Sequence, residues 1–89
     1  MNAYIKSFGN VRIKFMHFVD VPQKKTTCLI ENDEGKVLTK GTAFLYYKDN
    51  FDRAIGRKVA LTNALKSLTL SKDERVDVWK AYWKNHKKR

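Results

Sequence analysis

Residues 43–65 read AFLYYKDNFDRAIGRKVALTNAL, and the fold turns on where the hydrophobic period changes inside this stretch. Up to Tyr47 the residues are aromatic or otherwise suited to a pleated surface. After Lys48-Asp49-Asn50 the apolar positions recur with a period of about 3.6. Asp49 or Asn50 suits an N-cap, and Phe51, Ala54, Ile55, Leu61, Leu65 and Leu68 form the apolar stripe of a helix over about 50–68. Gly56 interrupts that helix at a cost of about 1 kcal/mol relative to alanine.

Towards the N-terminus, the runs 36–47 and 26–31 are strand-like, and Asn32-Asp33-Glu34-Gly35 between them carries the turn chemistry of a hairpin. Further back, Val11, Ile13, Phe15, His17 and Val19 alternate with Arg12, Lys14, Met16 and Phe18, as a half-buried strand requires. Pro22 and Gln23-Lys24-Lys25 mark a connection, and residues 3–8 read as an edge strand before a turn at Gly9-Asn10. Towards the C-terminus, Ser71 and Glu74 form a capping box for a second helix over about 72–86, with apolar Val76, Val78, Trp79, Tyr82 and Trp83. The whole predicts an α+β domain spanning 1–89: a three- to four-stranded antiparallel sheet over about 3–47, then two helices.

Nineteen Lys/Arg against nine Asp/Glu leave a net charge of +10 on 89 residues. A chain of this length has room for a small core and none for a core plus a deep catalytic cleft. Hydrophobic content of 43% is too high for a disordered chain despite the charge. Residues 51–89 hold +7 of the net charge, so the positive character follows the helices. The one cysteine, Cys28, excludes an internal disulfide, and His17 and His86 stand apart from any zinc-type spacing, so neither metal nor cofactor is expected. No signal-type or membrane-spanning apolar run is present, which points to a cytoplasmic protein without membrane contact. An enzyme is not expected either. His17 falls on the core side of a strand, His86 in a basic tail, Cys28 lacks a neighbour that would activate it, and Asp49 and Asp52 suit a helix start better than acid/base chemistry.

Three groups of residues are candidates for contact with a polyanion. Arg53 and Arg57, with Lys58, lie beside Gly56 on the first helix. Read functionally, they contact an anion next to a glycine that allows close approach; read structurally, they form a solvated face while Gly56 packs on the sheet. Arg12, Lys14, Lys40, Phe44 and Tyr46, together with Phe18, share the sheet face opposite Val11, Ile13, Val37, Ala43 and Leu45. Basic residues interleaved with rings can hold phosphates while bases stack, and the same rings also suit cross-strand cover or a protein interface. Lys84, Lys87, Lys88 and Arg89 belong to a basic C-terminal tail suited to phosphate without specificity. Trp79 and Trp83, four residues apart, either wedge the last helix onto the rest or form an interface hot spot.

The pattern Gly41-Thr-Ala43, then Asp49-Asn-Phe51-Asp-Arg53, then Gly56-Arg-Lys-Val-Ala60-Leu61, then Ala64-Leu65 resembles one found in small accessory proteins of bacteriophages and prophages, mostly of unassigned function. The resemblance covers about residues 41–66. It implies a viral origin and, by analogy, a role in binding host defence, transcription or replication machinery. The expectation is a small, basic, non-enzymatic protein that binds nucleic acid or a nucleoprotein surface, mainly through phosphate contacts. The alternative is a protein-binding inhibitor of host machinery, such as an anti-CRISPR or anti-restriction protein or an RNA polymerase inhibitor. A homodimer closed over the open sheet face is a third arrangement.

Overall fold

Hydrophobic alternation places four strands in one antiparallel meander. The computed structural model describes residues 1–20, 22–44 and 53–86. Strands β1 (Asn2–Ile5), β2 (Gly9–Phe18), β3 (Lys25–Asn32) and β4 (Val37–Phe44) lie in the order in which they occur, and helices α1 (Arg53–Lys66) and α2 (Lys72–Asn85) follow. The architecture is the expected α+β. Asn32 shapes the β3–β4 turn, its side-chain oxygen accepting from the Glu34 amide at 2.9 Å and the Lys36 amide at 3.0 Å, while Gly35 takes φ +82°.

The first turn differs from expectation. Gly9 and Asn10 belong to β2, paired with Ile5 and Tyr4, and the chain reverses through residues 6–8, where the Phe8 amide donates to the Ile5 carbonyl at 2.9 Å. Gly9 keeps a positive φ of 79°, but as the first residue of the strand rather than the turn itself. Met1 extends the pairing, with Ile13 and Met1 exchanging backbone bonds of 2.7 and 2.8 Å.

Both helices cover the same sheet face. Ala3, Ile5, Val11, Ile13, Cys28 and Ile30 meet Ala60, Leu61, Ala64, Leu65, Leu70, Val78 and Tyr82 in one buried cluster. Helix α1 lies over β3 and β4, and α2 lies against β1. The α1 contact is set by small residues. A Cβ on Gly41 would overlap the Ala60 carbonyl and the Ala64 amide, so the helix backbone rests directly on β4. Two polar bonds pin it there: Thr39 Oγ1 donates to the Ala64 carbonyl and Asn63 Nδ2 to the Thr42 carbonyl, each at 2.9 Å.

This seam corrects the expected helical stripe. Leu61 and Leu65 are buried, but Ala54 and Ile55 are exposed, and the face that meets the sheet runs through Gly56, Arg57, Ala60 and Ala64. The reason is steric: β4 presents Thr39, Gly41 and Ala43 inward, and only glycine and alanine let the backbones approach this closely. Helix α1 is also shorter than the expected 50–68, ending at Lys66; Asp49, Asn50 and Phe51 lie outside the described residues. Gly41, Ala43, Gly56, Ala60 and Ala64, which carry much of the sequence pattern quoted above, are residues of this packing seam.

The capping box of α2 is present. The Ser71 hydroxyl accepts from the Glu74 amide at 3.2 Å, and Glu74 accepts from the Ser71 amide at 3.0 Å. The other Glu74 oxygen accepts from the Ser7 amide at 2.8 Å, so the buried carboxylate fastens α2 to the β1–β2 turn. Hydrogen bonds from the Ser7 hydroxyl first, then from the Ser71 and Ser7 amides, hold its carboxyl at about 2 instead of 4.5. Because the folded-state value is depressed, the stabilisation is complete above pH 4.5 and drains away as pH falls towards 2. Glu74→Gln is therefore expected to lower the urea midpoint at neutral pH, with the two proteins converging near pH 2. Parallel midpoint-against-pH curves would contradict this.

Candidate nucleic-acid interface

The strand register that buries one sheet face leaves the other open. Its rows follow from the pairings. Phe18, Lys25 and Phe44 stand side by side on β2, β3 and β4; the next row holds Met16, Thr27 and Thr42, and the next Lys14, Leu29 and Lys40. Arg12 and Glu31 follow, with Asn2 opposite Arg12 on β1. Phe18 is 37% exposed, Phe44 62% and Tyr4 59%. With strands about 4.8 Å apart, the two phenylalanines stand roughly 10 Å from one another across Lys25. The Lys25 ammonium lies 5.2 Å from the centre of the Phe18 ring.

Charge on this face is positive and mostly uncompensated. Lys14 pairs with Glu31 at 3.1 Å. Among the described residues, Arg12, Lys25 and Lys40 have no carboxylate partner. At the β1 edge an open groove of about 500 Å³, lined by Asn2, Ala3, Tyr4, Asn10, Ala81, Lys84 and Asn85, joins the sheet to the last turn of α2.

The expected site residues therefore divide between two surfaces. Arg12, Lys14, Lys40 and Phe44 share the open sheet face, and Lys84 borders its edge. Arg53, Arg57 and Lys58 lie on α1, on the other side of the sheet, with Arg53 exposed and Arg57 and Lys58 half-buried. Tyr46, Lys87, Lys88 and Arg89 lie outside the described residues, as does Leu45. Lys25 and Tyr4 were missed as candidates. Counting the β2–β3 register back from the hairpin would have placed Lys25 between the two rings, but the connection around Pro22 leaves that register open in sequence.

On the helical side, Gly56 packs on the sheet: its missing Cβ would lie 2.5 Å from Thr26 Oγ1. Close approach here serves packing and not a phosphate. Thr26 Oγ1 is in turn 2.8 Å from His17 Nδ1. His86, just past α2, stacks at a tilt on Tyr82 with centroids 4.7 Å apart and meets the Phe15 ring edge-on at 5.8 Å. Burial first, then Arg53 and Arg57, lower the basicity of His17; burial, then Arg57 and the N-terminal ammonium, lower that of His86. Arg57 Nε is shut off from solvent and, among the described residues, has no hydrogen-bond partner. A buried donor left unpaired costs about 1 to 3 kcal/mol.

The tryptophans do not act as a pair. Tyr82, 1% exposed, is the residue that wedges α2 into the core, touching Phe15, Trp79 and Trp83 edge-on. Trp79 is half-buried against the core, while Trp83 is 44% exposed beneath the Lys58 ammonium at 5.8 Å. Cys28 is fully buried, and burial pushes its thiol up to about 12, which keeps it protonated and unreactive. Among the described residues, no helix is long and apolar enough to cross a membrane. No protein-family model, curated protein or solved structure matches this chain.

Proposed function

We propose that the protein binds single-stranded nucleic acid on its open sheet face, as a non-enzymatic binding module. The observation that carries this reading is the Phe18-Lys25-Phe44 row: two exposed rings about 10 Å apart with a cation between them. An extended strand can stack bases on the rings and set the intervening phosphate on Lys25, with Arg12 and Lys40 holding phosphates further along. A duplex keeps its bases paired and offers no face to these rings, so the arrangement favours unpaired strands. Together with the resemblance of residues 41–66 to phage accessory proteins, the reading is of a small viral protein acting on single-stranded DNA or RNA.

Salt dependence tests it. Three phosphate contacts, at Arg12, Lys25 and Lys40, give a slope near −2 in log affinity against log salt, or about a twentyfold loss between roughly 50 and 200 mM. Fluorescence anisotropy with short labelled single strands and the matching duplex measures both quantities. Binding of single strands with that slope, and tighter than duplex, is expected. No binding to either polymer at the lowest salt overturns the reading and leaves the protein-inhibitor alternative.

A further inference from the structure

Where β1 and the start of β2 meet the end of β3, the open sheet face carries a polar recess of about 280 Å³ lined by Asn2, Asn10, Val11, Arg12, Asn32 and Asp33. We propose that this recess takes a guanine base of the strand bound on the sheet, with Arg12 donating to its O6/N7 edge and Asp33 accepting from its N1–H and N2–H groups. The inference rests on the sheet-face reading and adds a base preference to it.

The register makes the recess part of the open face. Asn2 stands opposite Arg12, Tyr4 opposite Asn10 and Val11 opposite Asn32, so one further step along the chain brings Asp33 towards Asn10. From Phe18 to Arg12 is six residues of β2, roughly 20 Å, with the row of Lys14 and Lys40 between them. An extended strand stacked on the phenylalanines can therefore run on to the recess. Its volume lies just below the roughly 300 to 1,000 Å³ of sites for drug-sized ligands, which suits a group the size of one base. The Tyr4 ring, 59% exposed on the strand beside Asn10, offers that base a face to stack on.

The choice of guanine follows from the two charges. Arg12 and Asp33 line one cavity without neutralising each other: among the described residues neither forms an ion pair or a side-chain hydrogen bond. A guanidinium and a carboxylate held apart select a ligand that carries acceptors on one edge and donors on the next. Guanine does so, because O6 and N7 accept while N1–H and N2–H donate side by side, and both contacts are two-pronged. Adenine and cytosine offer the carboxylate one amino group, and thymine or uracil one ring N–H. Asp33 is also carried on a fixed turn. Asn32 Oδ1 accepts from the Glu34 and Lys36 amides, the Asn32 amide donates to the Lys36 carbonyl, and the Gly35 amide donates to the Asn32 carbonyl. The acceptor is therefore held in place before any base arrives, which lowers the ordering cost of binding.

Labelled oligothymidylates, plain or with one central dG, dA or dC, are the probes, together with the dG strand remade with inosine or 7-deazaguanine. The dG strand should bind the whole protein about tenfold more tightly than the other three. Inosine lacks the N2 amino group and 7-deazaguanine the N7 acceptor, so each exchange should cost about fivefold or more. Asp33→Asn should lose the guanine preference and become indifferent to the inosine exchange, which a merely structural role for Asp33 would not produce. With Arg12 on the base and not on a phosphate, the salt slope of the dG strand should be flatter than that of the others by roughly 0.7. Equal affinity for the four strands overturns the inference and leaves the sheet-face reading standing, as does a guanine preference that survives both inosine and Asp33→Asn. If no strand binds, the amide signals of Asn2, Asn10 and Asp33 are followed by NMR during titration with GMP and AMP. Saturable shifts with GMP alone keep the guanine recess although the sheet-face reading has failed; no shifts with GMP end both.

Discussion

Replacing both Phe18 and Phe44 by alanine is expected to weaken single-strand binding by about thirtyfold or more while the domain stays folded. Each stacked base contributes about 1 to 3 kcal/mol, so loss of two platforms removes at least about 2 kcal/mol, or a factor near 30. Both rings stand outside the buried cluster and are already 37% and 62% exposed, so truncation opens no internal cavity. Each single substitution should cost about fivefold or more, with the salt slope unchanged because no phosphate contact is lost. Lys25→Ala should do the reverse, flattening the slope by roughly 0.7. Anisotropy across a salt series measures all four proteins. If the double variant binds like the parent, the rings are cover for the sheet and nothing more.

Gly41→Ala should destabilise the protein by about 3 kcal/mol, a large share of the roughly 4 to 13 kcal/mol expected for a domain of this size. The added methyl overlaps the Ala60 carbonyl and the Ala64 amide, which are backbone atoms and cannot rotate away. Helix α1 must lift, and lifting it strains the Thr39–Ala64 and Asn63–Thr42 bonds. For the same reason Ala64→Gly should not rescue Gly41→Ala: it removes a side chain that is not the obstacle. Urea unfolding of the single and double variants checks this. A midpoint for Gly41→Ala equal to the parent's would mean that α1 does not rest on β4.

The meander was legible in the sequence because its signals are local. Alternation in β2, the Asn32–Gly35 turn and the Ser71/Glu74 box each need only a few adjacent residues. The face of α1 was not legible, because it depends on what the sheet presents. Apolar periodicity through Ala54, Ile55, Leu61 and Leu65 suggested one stripe, whereas a strand carrying Thr39, Gly41 and Ala43 selects the side with Gly56, Ala60 and Ala64. The first turn was misplaced for a related reason: Gly9-Asn10 is good turn chemistry, but pairing Ile5 with Gly9 keeps Ala3 and Val11 on the core face.

For the site, charge placed the positive character on the helices and beyond. The fold also sets four cations, Arg12, Lys14, Lys25 and Lys40, on the open sheet face with the exposed rings, while Arg53 and Arg57 lie on α1 on the other side. Lys25 was not among the candidates, and His86 was assigned only to a basic tail, because their neighbours, Phe18 and Phe44 for one and Tyr82 and Phe15 for the other, come mostly from distant parts of the chain.

NMR mapping of the protein with a short single-stranded oligonucleotide shows whether the open sheet face is the nucleic-acid surface. The largest shift changes should fall on Tyr4, Arg12, Met16, Phe18, Lys25, Lys40 and Phe44, with ring-current signs that report stacking. Changes that spare these residues and gather on the outer surface of the helices would contradict that assignment.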